Sequence, residues 1–179
     1  AWAQNPASGR NGQTAAPGAR ILASDRIRKQ LFGVAAETRL PAEAYRPEIS
    51  DKVYAELAGR VARIARLGHA IVADAVYDRP EERERIAYAA LSAGIPFLGL
   101  WLEADPQKLL QRVRARTGDV SDATPDVLAG QLSRSLGAIT WSRVQADADA
   151  ETVSERALDA IGVLRPRDRR GAAHTSLTR

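Results

Sequence analysis

The sequence predicts one α/β domain built on a parallel sheet with helices on both faces. Three apolar runs, ARILAS (19–24), HAIVADAV (69–76) and IPFLGLWLE (95–103), carry no polar alternation, as strands buried on both faces require. Segments with helical patterning separate them, and a parallel crossover needs a connection of about a dozen residues or more. A length of 179 residues with 45% hydrophobic and 27% charged side chains suits a single sizeable core.

Residues 1–18 are rich in Ala, Gly, Asn, Gln and Pro without a period, and predict an irregular segment. ARILAS is the first strand, and DRIRKQLFG gives a short helix closed by Gly33. ETRLPAEAYRPEI, with two prolines, predicts an excursion over 37–49. Ser50 is placed to cap a helix running to about Leu67, since Val53, Leu57, Val61 and Ile64 repeat at helical spacing. Gly68 ends it, and HAIVADAV follows as a strand with Asp74 near its carboxyl end. Pro80 opens the next helix, with Glu81 and Glu82 in the first turn where the helix dipole favours acids. After Gly94, IPFLGLWLE predicts one continuous buried strand. Asp105-Pro106 starts a helix with Leu109, Leu110 and Val113 inward, and Thr124-Pro125 starts another. WSRVQA (141–146) is a weaker last strand, and residues 150–163 form a final helix. The layout is therefore an irregular 1–18, a domain over 19–163, and a basic disordered tail over 164–179.

Composition excludes several functions. There is no cysteine, hence no disulfide and no thiolate metal site, and the two histidines lie far apart in sequence. The densest apolar run, GIPFLGLWL at 94–102, is too short to span a bilayer. No basic region followed by an apolar one opens the chain, which predicts a cytoplasmic protein. The chain has no Met, so residue 1 is a processed, trimmed or misassigned start. The net charge of +4 is concentrated in RPRDRRGAAHTSLTR (165–179), without basic-aromatic interleaving, and does not predict nucleic-acid binding. Only Lys29, Lys52 and Lys108 are lysine among 26 basic residues, a bias of the kind a GC-rich genome produces.

Ligands of such sheets bind at the carboxyl ends of the strands, where Ser24-Asp25 and Asp74 fall. The order and spacing of SDRIRKQLFG, IVADAVYDRPEER and FLGLWLEADPQKLLQRVRARTGDVSDA resemble the small P-loop kinases. These are the gluconate-kinase, polynucleotide-kinase and zeta-toxin-like group, also described as AAA family ATPases. The chain looks most like the ATP-binding half of bacterial proteins that fuse an aminoglycoside-phosphotransferase-like domain to such a kinase. The resemblance covers about 19–160 and implies a three-layer α/β/α, P-loop NTPase-like fold. It also implies ATP and Mg2+ as cofactors and a small-molecule hydroxyl as phosphate acceptor.

The resemblance assigns roles by position. Asp25 matches the carboxylate that faces the acceptor hydroxyl, and Arg28 the arginine that helps hold the substrate; a helix cap is the plain alternative for Asp25. Asp74 ends AIVAD in the manner of a Walker B acid holding the water shell of Mg2+, a turn residue being the alternative. Arg112, Arg114 and Arg116 precede TGDVSDA in a lid-like stretch over 112–123. Arg112 and Arg116, at i and i+4, are the pair able to share one face toward phosphate. Arg79 can reach substrate, as can Arg83 unless it pairs with neighbouring Glu residues; Asp119 and Asp122 belong to the lid hinge or solvate its turn.

The phosphate loop itself is not legible. ASGRNGQT (7–14) lies on the GxxxxGK[ST] frame with Gly12 and Thr14 in place, but Ala7 replaces the first Gly and Gln13 the Lys. Only AAPGAR separates Thr14 from Ile21, too little for the helix that would follow the loop. AWAQNP is too short and polar for a central strand. The sequence thus predicts a kinase-like domain lacking its first strand, phosphate loop and loop helix, with impaired chemistry. A fragment, a degenerate gene product and a misassigned start all remain open. So does a non-catalytic remnant that binds a partner or a phosphoanion through its arginines.

Overall fold

The computed structural model describes residues 18–115 and 121–162. Among the described residues four strands and six α-helices run in the order β1 (Arg20–Ala23), α1 (Ser24–Leu31), α2 (Pro47–Arg66), β2 (Ile71–Asp74), α3 (Pro80–Ser92), β3 (Leu100–Glu103), α4 (Pro106–Ala115), α5 (Pro125–Leu132), β4 (Ser142–Gln145) and α6 (Ala150–Ala160). A 3-10 turn at Ala42–Tyr45 interrupts the excursion before α2. The strands form two parallel pairs, β1 with β2 and β3 with β4. Contacts divide the chain into two compact units. The first takes residues up to Phe97 together with Leu110–Ala138; the second takes Leu98–Leu109 together with the chain from Ile139 onward.

In the first unit, α2 is the core element. Val53 and Leu57 are wholly buried, and Tyr54, Ala58, Val61 and Ala65 lie beside them against α1, α3 and β2. The helix begins three residues before the expected Ser50 cap. Pro47, whose ring presets the helical φ and whose missing N–H costs nothing in a first turn, starts it, and Arg46 occupies the cap position. The Ser50 hydroxyl instead accepts a bond from Arg28 Nη2 at 3.4 Å. Gly68, at φ +80°, ends the helix as expected.

Ala23 pairs with Asp74 in the β1–β2 register, so both strands deliver their carboxyl ends side by side. The expectation that the strands are covered on both faces does not hold within this unit. Ile21 and Val72 are about half exposed among the described residues, while Leu22, Ala23, Ile71 and Ala73 are more covered. After Asp74 the chain reverses through Tyr77, the only non-glycine among the described residues with a left-handed backbone, at φ +51°. For a bulky residue that conformation is strained. It is held because the Tyr77 amide donates to the Tyr54 hydroxyl (3.2 Å), the two rings meet edge to face at 5.6 Å, and Arg83 Nη1 donates to the Tyr77 carbonyl at 2.7 Å.

The second unit carries a further correction. IPFLGLWLE is not one continuous buried strand: only Leu100–Glu103 pairs with β4, and Leu98 and Leu102 are largely exposed. Pro96 lacks an amide for a ladder, and Gly99 lies directly beneath the Trp141 indole. A Cβ built on Gly99 meets the ring at 2.2 Å. Asp105 and Asp149 cap α4 and α6 through side-chain bonds to Gln107 N (2.8 Å) and Thr152 N (2.9 Å). Leu109, Leu110 and Val113 are the least exposed positions of α4, as the spacing predicts.

Gly99→Ala forces the rigid Trp141 ring to move. Overpacking of this kind costs about 1–3 kcal/mol. A denaturant melt followed by tryptophan fluorescence should show the loss, with Gly59→Ala, at an open helical position, as the neutral or stabilising control.

Candidate functional site

The first helix places the central residues. Ala23, not Asp25, occupies the cap position of α1 and makes no side-chain capping bond, so the plain capping role does not account for Asp25. Asp25 lies within the first helical turn, half-buried, just beyond the end of β1. Ser121 hydrogen-bonds to its carboxylate. Burial pushes the Asp25 carboxyl above its usual range, and the negative charges of Asp74 and Asp122 push the same way; the Ser121 bond and the Arg28 guanidinium pull it down but do not prevail. Asp74, the last residue of β2, is exposed and near enough for its charge to be felt at Asp25.

Arg28 is buried. Its Nη1 donates to the Ala44 carbonyl at 2.6 Å, and its guanidinium carbon lies 4.8 Å from the centroid of the Tyr45 ring. Its Nε has no hydrogen-bond partner. Arg28 therefore shapes the wall contributed by the excursion and keeps one buried donor unsatisfied beside Asp25.

Sequence reasoning missed the strongest electrostatic feature here. Lys29 is 2% exposed, and its ammonium stands 2.8 Å from both carboxylate oxygens of Asp122 while also donating to the Thr38 carbonyl. Asp122 further accepts from the Leu40 amide at 3.1 Å and from the Tyr45 hydroxyl. Burial alone would raise the Asp122 carboxyl; the bonds from Lys29, Tyr45 and Leu40 outweigh it and hold it below the ordinary range. Burial and Asp122 together raise the Tyr45 phenol. No local signal marked it, since Lys29 is one of three lysines, each on a helix.

The remaining expected residues are bonded elsewhere, exposed, or outside the described residues. Arg79 occupies the cap position of α3 and stands 3.6 Å from Asp51, both substantially exposed. Arg112 lies exposed on α4; Arg116 and Asp119 fall outside the described residues. Arg83 is buried and donates to the carbonyls of Tyr77, Leu136 and Ala138.

No group of three or more potential ligands forms a metal cage among the described residues. Mg2+ does not need one, since it is held by one or two carboxylates together with waters and phosphate oxygens. Asp74, beside Asp25 at the strand ends, fits that mode. For a triphosphate, the sequence places Gln13 where the loop lysine belongs; the run 7–14 lies outside the described residues.

Residues 10–136 match the model of a family described as an AAA domain. The chain belongs to this family. A crystal structure of a gluconokinase from Sinorhizobium meliloti 1021 is similar at a TM-score of 0.52 and 17% identity, over 81% of this chain and 78% of that one. No curated protein matches the chain significantly. The likeness shows a three-layer α/β/α fold of the P-loop NTPase type. Among the described residues no helix is long and apolar enough to cross a membrane.

Asp25 is held above its ordinary value in the folded state, so the folded chain binds its proton more readily than the unfolded chain does. Ionised Asp25 therefore lowers stability, fully so above its folded value and not at all below the unfolded 3.8. Asp25→Asn should melt at a higher temperature than the parent at pH 7, and the gap should close as the pH falls toward 3.8. Thermal melts across pH 3–8 check this.

Proposed function

We propose that the chain is an ATP-dependent, kinase-like phosphotransferase domain acting on a small-molecule hydroxyl. Its acceptor side is intact, and its donor side is impaired for lack of the phosphate-loop lysine. The observation that carries the reading is the poorly hydrated, half-buried Asp25 just beyond the carboxyl end of β1, whose last residue, Ala23, pairs with Asp74. A carboxylate with raised basicity suits acceptance of the proton from an acceptor hydroxyl as that oxygen bonds to the transferred phosphorus and the bond to the donor oxygen breaks. In this reading Asp25 is the base, and Arg28 and Arg79 bind the acceptor. Asp74 orients the water shell of Mg2+, which neutralises phosphate charge when bound. Arg112 and Arg116 fold over the phosphates. A cytoplasmic setting and a neighbouring aminoglycoside-phosphotransferase-like domain belong to the same proposal.

A second reading, a non-catalytic module binding a partner or a phosphoanion, draws support from the exposed Ile21 and Val72 on the sheet and the exposed Arg112 and Arg114 on α4.

A fluorescent ATP analogue, titrated with and without Mg2+ beside an Asp74→Ala control, separates the readings. The expected outcome is no saturation of this chain up to millimolar nucleotide. A version with a GxxxxGK[ST] loop and its helix restored before β1 should bind in a magnesium-dependent way that Asp74→Ala abolishes. In that version Asp25→Asn should lower turnover by about 10²–10⁴-fold, the usual worth of a positioned base. Restored binding without any transfer to polyol, sugar or nucleoside hydroxyls would favour the second reading.

A further inference from the structure

Lys29 follows Asp25 by one helical turn, the arrangement in which an acid and a lysine commonly pair on a helix surface. Here the lysine points its charge elsewhere. Its ammonium is bracketed by the two oxygens of Asp122 at 2.8 Å each and by the Thr38 carbonyl, with the two side chains only 2% and 9% exposed. Arg28, the cation on this helix whose charge is felt at Asp25, is engaged by the Ala44 carbonyl, the Ser50 hydroxyl and the face of Tyr45. Asp25 is left with a neutral donor, Ser121, the residue immediately before Asp122.

We propose that Asp122 is the counter-ion that keeps the Lys29 ammonium off Asp25, which makes Asp122 and Lys29 positioning residues for the acceptor site. The inference rests on the reading of Asp25 as the proton acceptor. One short segment then does two things to the base: Ser121 orients it through a neutral bond, and Asp122 removes from it the nearest lysine. A base paired with an ammonium would be a poor proton acceptor, because an opposite charge within about 4–6 Å lowers a carboxyl by 1–3 pH units.

The charged and titratable groups facing Asp25 are Arg28 on its own helix, Asp74 at the end of β2, Tyr45 on the 3-10 turn, and Asp122 beside Ser121. Asp122 thus acts on Asp25 in two ways, by its own charge and by what it holds, and a double variant separates them. The experiment follows the Asp25 side-chain carboxyl carbon by NMR across pH in the parent, in Asp122→Asn, and in Lys29→Gln/Asp122→Asn. Asp122→Asn should lower the Asp25 midpoint by about one unit or more, a tenfold loss of proton affinity. The double variant should return it to within about half a unit of the parent, because the freed ammonium is gone. An unchanged midpoint in Asp122→Asn, or a double variant as low as the single, overturns the proposal.

Asp122→Asn leaves a buried ammonium without its partner and can fail to fold, whereas removing both partners is tolerated better. In that case the double variant decides alone: a midpoint within about half a unit of the parent supports the proposal, and a fall of a full unit overturns it. The titration needs neither nucleotide nor acceptor. A failed nucleotide titration therefore counts against the kinase reading and leaves this result readable.

Discussion

The surroundings of Asp25 depend on one buried ammonium. Lys29 carries a full charge at a position almost wholly removed from water, where an unpaired ion costs several kcal/mol. It is tolerable only because Asp122, arriving from 93 residues further along the chain, places both oxygens on it. That requirement organises the surroundings. The excursion between α1 and α2 has to bend so that Thr38 and Leu40 present a carbonyl and an amide to the pair. Tyr45 has to bring its hydroxyl to Asp122 while its ring lies over Arg28. Removing one partner of such a pair typically costs about 3–5 kcal/mol, whereas replacing both by apolar groups can cost nothing. The pair is therefore better understood as fixing an arrangement than as adding net stability.

The same arrangement explains how a carboxylate can stay basic within reach of two cations. Arg28 and Lys29 would each neutralise Asp25 if free to do so. Lys29 is instead held by Asp122, and Arg28, bonded to the Ala44 carbonyl but with its Nε unpaired, lowers Asp25 only in part. Preorganised dipoles and ions of this kind act without reorganising during a reaction, which is where their leverage over a developing charge comes from.

What the sequence made legible was local. β1, α1, β2 and α3 follow from apolar runs, from Pro80 and from Gly33, Gly68 and Gly94, which all adopt positive φ. Asp25 and Asp74 could be placed at strand ends because a strand-end position follows from the strand. The errors arose where a residue's partner is remote. Ser50 has the chemistry of a cap, but Pro47 already sets the start of the helix and Ser50 serves Arg28. Leu98 and Leu102 have the hydrophobicity of a buried strand, but hydrophobicity does not say what will cover them. The Lys29–Asp122 pair has no local signature at all, since a lysine followed by Gln30 and Leu31 looks like any helix surface.

Within the first unit, Tyr77 is held by α2 and α3 together. Its left-handed backbone persists because α2 supplies the hydroxyl and ring of Tyr54 that hold it, while Arg83 in α3 grips its carbonyl. The turn leaving Asp74 is thus a loaded spring with its catch on a different helix. An inserted or deleted residue between Asp74 and Pro80 would release the catch before it disturbed the strand, so the length of this short connection is set by α2 and α3 together and not by the turn itself.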